Sequence, residues 1–171
     1  PVEHQVIQRD SGNSAWVEMK VATSLPVSKS VPLEYRLDKN KSWGKANGEW
    51  KDERFVARLR VRAGGWHTLE VRDSRTPDHR SQVVQFGVGE VFVVAGQSNS
   101  GNYGEIKQST KTGLVSAFDF DNNKWQLAID PQPGAGGRGG SIMPLLGDAL
   151  SKKLNLPIGI IAYGQGGTSV R

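Results

Sequence analysis

The stretch that most constrains this chain is Val91 to Asn99, VFVVAGQSN, where an unbroken apolar run passes directly into a candidate nucleophile. Five residues without polar alternation, rich in β-branched side chains, suit a buried strand better than a helix, which needs ten or more. A run of that kind belongs to a strand covered on both faces, as in a parallel sheet. Gly96 lets the backbone turn sharply at the strand end, and Ser98 follows two residues later. Ligands of open α/β sheets bind beyond the carboxyl ends of the strands, so Ser98 is placed where chemistry is expected. Serine and asparagine also populate ordinary turns and helix caps, so the position alone does not assign catalysis. GQSNSG misses the GxSxG nucleophile elbow, because Ser100 stands where that motif needs glycine.

Further along, Ile142, Leu145, Leu146, Ala149 and Leu150 repeat at spacings of three and four, which predicts a helix started by Ser141 and ended by Asn155 and Pro157. Ile158 to Tyr163 form a second apolar run. Strand, helix and strand then make one crossover, with Gly164, Gly166 and Gly167 on the same edge as Ser98. The expected class for residues 88–171 is therefore an α/β parallel sheet.

Residues 1–87 read differently. Ala15, Val17, Met19 and Val21 alternate with polar neighbours, as do Leu33, Tyr35, Leu37 and Phe55, Ala57, Leu59, Val61. Short strands and many turns predict a small, immunoglobulin-like β-sandwich that ends near Gly87 and packs closely on the α/β part. Ala63, Gly64 and Gly65 suggest a hairpin between the strands that flank them. The net charge of +5 is concentrated here, with 15 basic and 11 acidic residues in positions 1–87. Arg58, Arg60 and Arg62 should share one strand face. Two readings apply: a patch for acidic polysaccharide or nucleic acid, or a solvated face neutralised across the hairpin by Glu70, and the second is preferred. Trp16, Trp43, Trp50 and Trp66 raise a sugar-binding face, although tryptophan is usually spent on packing.

GEVFVVAGQSNS, Gly89 to Ser100, resembles the first motif block of the SGNH hydrolase superfamily, in particular carbohydrate esterases of the sialate O-acetylesterase type. Ser100 replaces that family's methionine. KWQLAIDP, Lys124 to Pro131, and PIGIIAYGQGGTS, Pro157 to Ser169, resemble later parts of the same family. The resemblance covers the second half of the chain. It implies a flavodoxin-like parallel sheet, incomplete here, preceded by a sandwich domain. It also implies removal of O-acetyl groups from sialic acid or an acetylated polysaccharide, through an acyl-enzyme on Ser98. Oxyanion donors would be the backbone amides of Ser98 and Gly166, with Gly167 as the alternative. Gln97, Asn99 and Gly140 would border the substrate, and no metal or organic cofactor is called for. The rival reading is a carbohydrate-binding or scaffolding protein with a degenerate esterase fold.

A serine nucleophile needs a base, yet His4, His67 and His79 all precede Ser98. In the resembling family Asp and His come later in the chain. The expectation is a second polypeptide that carries both, with Arg171 as the mark of proteolytic nicking. Gly134, Gly136 and Gly139 spell GxGxxG without a preceding strand, so dinucleotide binding is discounted. Neither a nucleic-acid nor a membrane partner is expected. With no cysteine and no leader at Pro1 the compartment stays open, a secreted or periplasmic one being favoured.

Overall fold

The computed structural model describes residues 1–22, 32–51 and 54–167. Thr168 and Ser169 of the glycine turn, and Arg171, lie outside the described residues, as does the side chain of His79. A three-stranded antiparallel sheet contains β2 (Ser14–Ala22), β6 (Arg54–Arg62) and β5 (Gly48–Lys51), in the order β2-β6-β5. The alternating residues expected to point inward do so: Val17, Met19, Leu59 and Val61 are all buried. They pack against Leu69, Val71, Phe86 and Val88 of a second, eight-stranded sheet, and this face-to-face core is the sandwich part of the molecule.

The second sheet runs in the order β10 (Lys124–Leu127), β9 (Val115–Asp119), β11 (Ile158–Gly164), β8 (Thr76–Gly96), β7 (Gly64–Asp73), β3 (Leu33–Leu37) and β4 (Gly44–Lys45). Its remaining strand, β1 (Gln5–Gln8), lies parallel to β8 at Phe86 to Gly89. Strand β8 is the spine. It passes without a break through residue 87, paired antiparallel with β7 in its first part and parallel with β11 from Glu90 to Gly96.

That continuity corrects the fold class. The described residues hold one α-helix, α1 (Met143–Leu154), against eleven strands, and the sheet is mixed. The pairs β8–β11, β9–β11 and β1–β8 are parallel; β9–β10, β7–β8, β3–β7 and β3–β4 are antiparallel. The chain is mostly β, and the α/β parallel-sheet class does not describe it. The reason is partly that β8 carries the sandwich sheet straight into the second half. In addition, turns and loops occupy most of 98–114 and 120–142, where a doubly wound sheet would have helices. The inference from the apolar run also fails in one respect, since Val93 is 67% exposed.

The single crossover from β8 to its parallel neighbour β11 contains α1, but the helix buries a different face from the expected one. Met143, Pro144, Gly147, Asp148 and Ser151 point inward, while Ile142, Leu145 and Leu146 are exposed. Two contacts decide the orientation. A Cβ on Gly147 would lie 2.4 Å from Val115 Cγ1, so only glycine admits the approach of helix to β9. Asp148, 5% exposed, accepts hydrogen bonds from the Thr110 and Thr112 hydroxyls and the Lys111 and Thr112 amides. The expected 63–65 hairpin is also corrected. Strands β6 and β7 are consecutive but belong to different sheets, so Ala63 marks a corner, and Glu70 instead accepts from Arg36 of β3 (2.7 Å).

Candidate functional site at the carboxyl edge of β8 and β11

Because β8, β11 and β9 run parallel, their carboxyl ends lie at one edge. Ser98 opens a 3₁₀ turn, Ser98–Ser100, immediately beyond β8, and Gln97, Ser98 and Asn99 are exposed. Among the described residues the Ser98 side chain has no hydrogen-bond partner. The turn is closed by Ser100 N–H donating to Gln97 O (2.9 Å) and Gly101 N–H to Ser98 O (2.9 Å).

The end of β11 is drawn tightly against this turn. A Cβ on Gly164 would lie 2.3 Å from Ser100 O and 2.4 Å from its carbonyl carbon, both backbone atoms. Gln165 N–H donates to Gly96 O (3.0 Å), binding the start of the glycine turn to the end of β8. The structure therefore brings the segment containing Gly166 and Gly167 to the same edge as Ser98. The amides of Ser98, Gly166 and Gly167 donate to no acceptor among the described residues. These amides and the exposed Ser98 hydroxyl thus lie at the same edge of the sheet.

The glycine-rich segment 134–140 walls this edge. Gly136 N–H donates to Gly164 O (2.6 Å), and Asn102 N–H to Gly136 O (2.7 Å). Gly140 is buried and exchanges backbone hydrogen bonds with Gly104 (2.7 and 2.9 Å), so it fixes the wall in place. Sequence reasoning missed the anchor of this arrangement. Buried Asn102 donates from Nδ2 to the carbonyls of Gln132 (2.9 Å) and Ala135 (3.0 Å) and accepts from Gln132 N–H (2.7 Å). Asp130 holds the other end, accepting from Ser141 N–H (2.7 Å) and Oγ (2.6 Å). Tyr103 was missed as well. It is exposed, and its hydroxyl lies 2.7 Å from where a Cβ of Gly166 would be, so an aromatic ring borders the glycine turn. Its one sequence signal is position, five residues after Ser98.

Two histidines are placed away from this edge. His4 N–H bonds Gln85 O, and His67 pairs with Phe86 in the β7–β8 register. Ten residues of extended strand separate Phe86 from Gly96, about 33 Å at 3.3 Å per residue. The His67 ring is occupied on both nitrogens, by Asp38 Oδ2 (2.9 Å) and Arg62 O (3.0 Å). Asp119, the last residue of β9, is tied into its own turn. Asn122 Nδ2 donates to it at 2.8 Å, and this bond, with the Asn122 amide, holds its carboxyl below the usual range. No group of three or more metal-ligating side chains occurs among the described residues.

No family model and no curated protein matches the chain. Among solved structures it is similar to a carbohydrate acetylesterase from Xanthomonas citri, with a TM-score of 0.54 and 18% identity. The likeness covers 98% of this chain and 39% of that one. At such identity it is a likeness of fold alone. The chain spans 39% of that protein's length.

On its other side β8 is partly open. Even-numbered residues from Glu90 to Gly96 turn their backbone groups to β11, and Val91 N–H turns the other way, to Gln8 Oε1 (2.8 Å). Beyond it Val93 and Ala95 have no strand alongside among the described residues.

Proposed function

We propose that the chain is part of a serine carbohydrate O-acetylesterase that removes acetyl groups from sialic acid or an acetylated polysaccharide. Ser98 is its nucleophile, the amides of Ser98 and Gly166, or Gly167, receive the oxyanion, and Gln97, Asn99 and the wall at Gly140 border the sugar. The observation that carries this reading is the convergence of an unpartnered Ser98 hydroxyl and unspent glycine-turn amides at one strand edge. Likeness of fold to a carbohydrate acetylesterase supports the substrate class. In the reaction Ser98 Oγ attacks the ester carbonyl, the sugar hydroxyl leaves, and water then releases acetate.

The reaction needs a base that takes the Ser98 proton, and the described histidine side chains are remote from it. We place the base on a second polypeptide carrying an aspartate and a histidine. Support for such a partner is the free edge at Val93 and Ala95 and, separately, the exposed side chains of Ile142, which precedes α1, and of Leu145 and Leu146 within it, features of the kind proteins cover. The test is acetate release from O-acetylated sialic acid and acetylated polysaccharide by the protein purified with its bound partner. Release that disappears on Ser98→Ala supports the reading. Undiminished release by Ser98→Ala removes Ser98 from the mechanism. Absence of release by the unaltered complex favours the binding-protein alternative, which needs no base.

A further inference from the structure

The outer face of the β2-β6-β5 sheet carries a row of cations beside an exposed indole. Cross-strand register places Ser14 opposite Arg62, Trp16 opposite Arg60 and Glu18 opposite Arg58. Paired residues of an antiparallel ladder share a face, and alternate residues of one strand stand about 6.7 Å apart. Arg58, Arg60 and Arg62 are exposed and line up along one strand, with Trp16, 62% exposed, at their centre and the Arg60 guanidinium 5.5 Å from its ring centroid.

The neutralising partner expected from the sequence is not there. Glu70 lies in the other sheet, buried and bonded to Arg36. Glu18 is held by Lys20 (2.7 Å), and Arg60 is held by Asp10. Neither Arg58 nor Arg62 bonds a carboxylate among the described residues; Arg58 faces Glu18 across the ladder and attracts it without a direct bond, and Arg62 faces the neutral Ser14. An indole exposed singly is ordinary. An exposed indole flanked on both sides by guanidiniums that no carboxylate bonds is a surface with a preferred ligand, because guanidinium pairs carboxylate and sulfate oxygens in a planar fork, while the ring offers a flat apolar platform.

We propose that this face binds an acidic polysaccharide, one sugar ring stacked on Trp16 and its neighbours' carboxylates or sulfates paired with Arg58 and Arg62. It lies on the sandwich sheet, apart from the Ser98 edge, and so holds a polymer while the esterase site works on it. The choice of polysaccharide over nucleic acid rests on the esterase reading above; the face itself does not depend on Ser98.

The experiment is affinity electrophoresis of the protein in gels containing polygalacturonate, heparin, neutral dextran or a single-stranded oligonucleotide. Retardation is expected in polygalacturonate or heparin, the stronger of the two naming carboxylate or sulfate as the anion, and none in dextran. Arg58→Ala with Arg62→Ala, and Trp16→Ala separately, each weaken binding at least about tenfold, the equivalent of about 1.4 kcal/mol. Ser98→Ala leaves retardation unchanged, so loss of esterase activity and loss of this site read out separately. Equal mobility in all four gels, a Trp16→Ala variant that binds as well as the unaltered chain, or tighter binding to the oligonucleotide than to either polysaccharide would each overturn the proposal.

Discussion

Replacing Asp148 by asparagine tests why α1 sits with its apolar stripe outward. Oδ1 accepts from the Thr110 hydroxyl (2.7 Å), the Thr112 hydroxyl (2.7 Å) and Thr112 N–H (3.1 Å), and Oδ2 accepts from Lys111 N–H (2.7 Å). An asparagine keeps one oxygen. Its better orientation leaves that oxygen at the Oδ1 position and turns an NH₂ toward Lys111 N–H, so two donors face each other in a buried place. Loss of one charge-assisted hydrogen bond and an unsatisfied buried donor cost about 2–3 kcal/mol. Domain stability is about 5–15 kcal/mol, so the effect is easily read. Urea unfolding at pH 7 should show a lower midpoint with unchanged slope. Acid dependence adds a second reading. Burial alone would push the Asp148 carboxyl up, but the hydrogen bonds from Lys111, Thr112 and Thr110 outweigh it and hold the group below its ordinary value. A carboxyl lowered in the folded state stabilises fully above its unfolded pKa of about 3.9, and the contribution is lost as pH falls through the lower folded value. The gap between the parent and Asp148→Asn should therefore be complete above about pH 5 and shrink steadily below pH 4. A gap under about 0.5 kcal/mol at pH 7, the scale of an ordinary surface change, or one that widens on acidification, would refute the reasoning.

Two further variants probe the neighbouring geometry. Gly164→Ala forces a Cβ against the Ser100 carbonyl and should cost about 1–3 kcal/mol in urea unfolding, while displacing the Ser98 turn by enough to lower acetate release on the order of a hundredfold. A melting curve and rate equal to the parent's would show that the close approach is not needed. Leu145→Glu with Leu146→Glu should change this chain's unfolding free energy by less than about 0.5 kcal/mol per site, because both side chains are exposed. A loss of several kcal/mol would mean that the stripe packs inward after all.

The parts of the fold legible in the sequence are those governed by local patterning. The apolar runs at Val91 to Ala95 and Ile158 to Tyr163 do pair in parallel, and the period-two residues of β2 and β6 do build the sandwich core. What the pattern could not convey was long-range. Nothing in Ala63-Gly64-Gly65 distinguishes a hairpin from a corner between sheets, and the difference moves Glu70 away from the arginine row. Apolar periodicity locates the helix but not its buried face, which is set by Gly147 and Asp148, whose partners Val115 and Thr110 to Thr112 are thirty or more positions away. The fold class failed for a related reason: the sandwich and the later strands are fused through β8, which local composition around Gly87 does not reveal. At the candidate site, strand endings located Ser98 and the glycine turn. Asn102 was invisible, because its acceptors are backbone carbonyls thirty and thirty-three residues along.

The central claim, that Ser98 forms an acyl bond, is tested most directly by peptide mass analysis. The protein, purified with its bound partner, is quenched in acid during turnover of an aryl acetate. An added acetyl group on the peptide containing Ser98, absent from Ser98→Ala together with a fall in rate on the order of a thousandfold or more, is the predicted result. Turnover with no adduct on that peptide, or an adduct on another residue that survives Ser98→Ala, would contradict it.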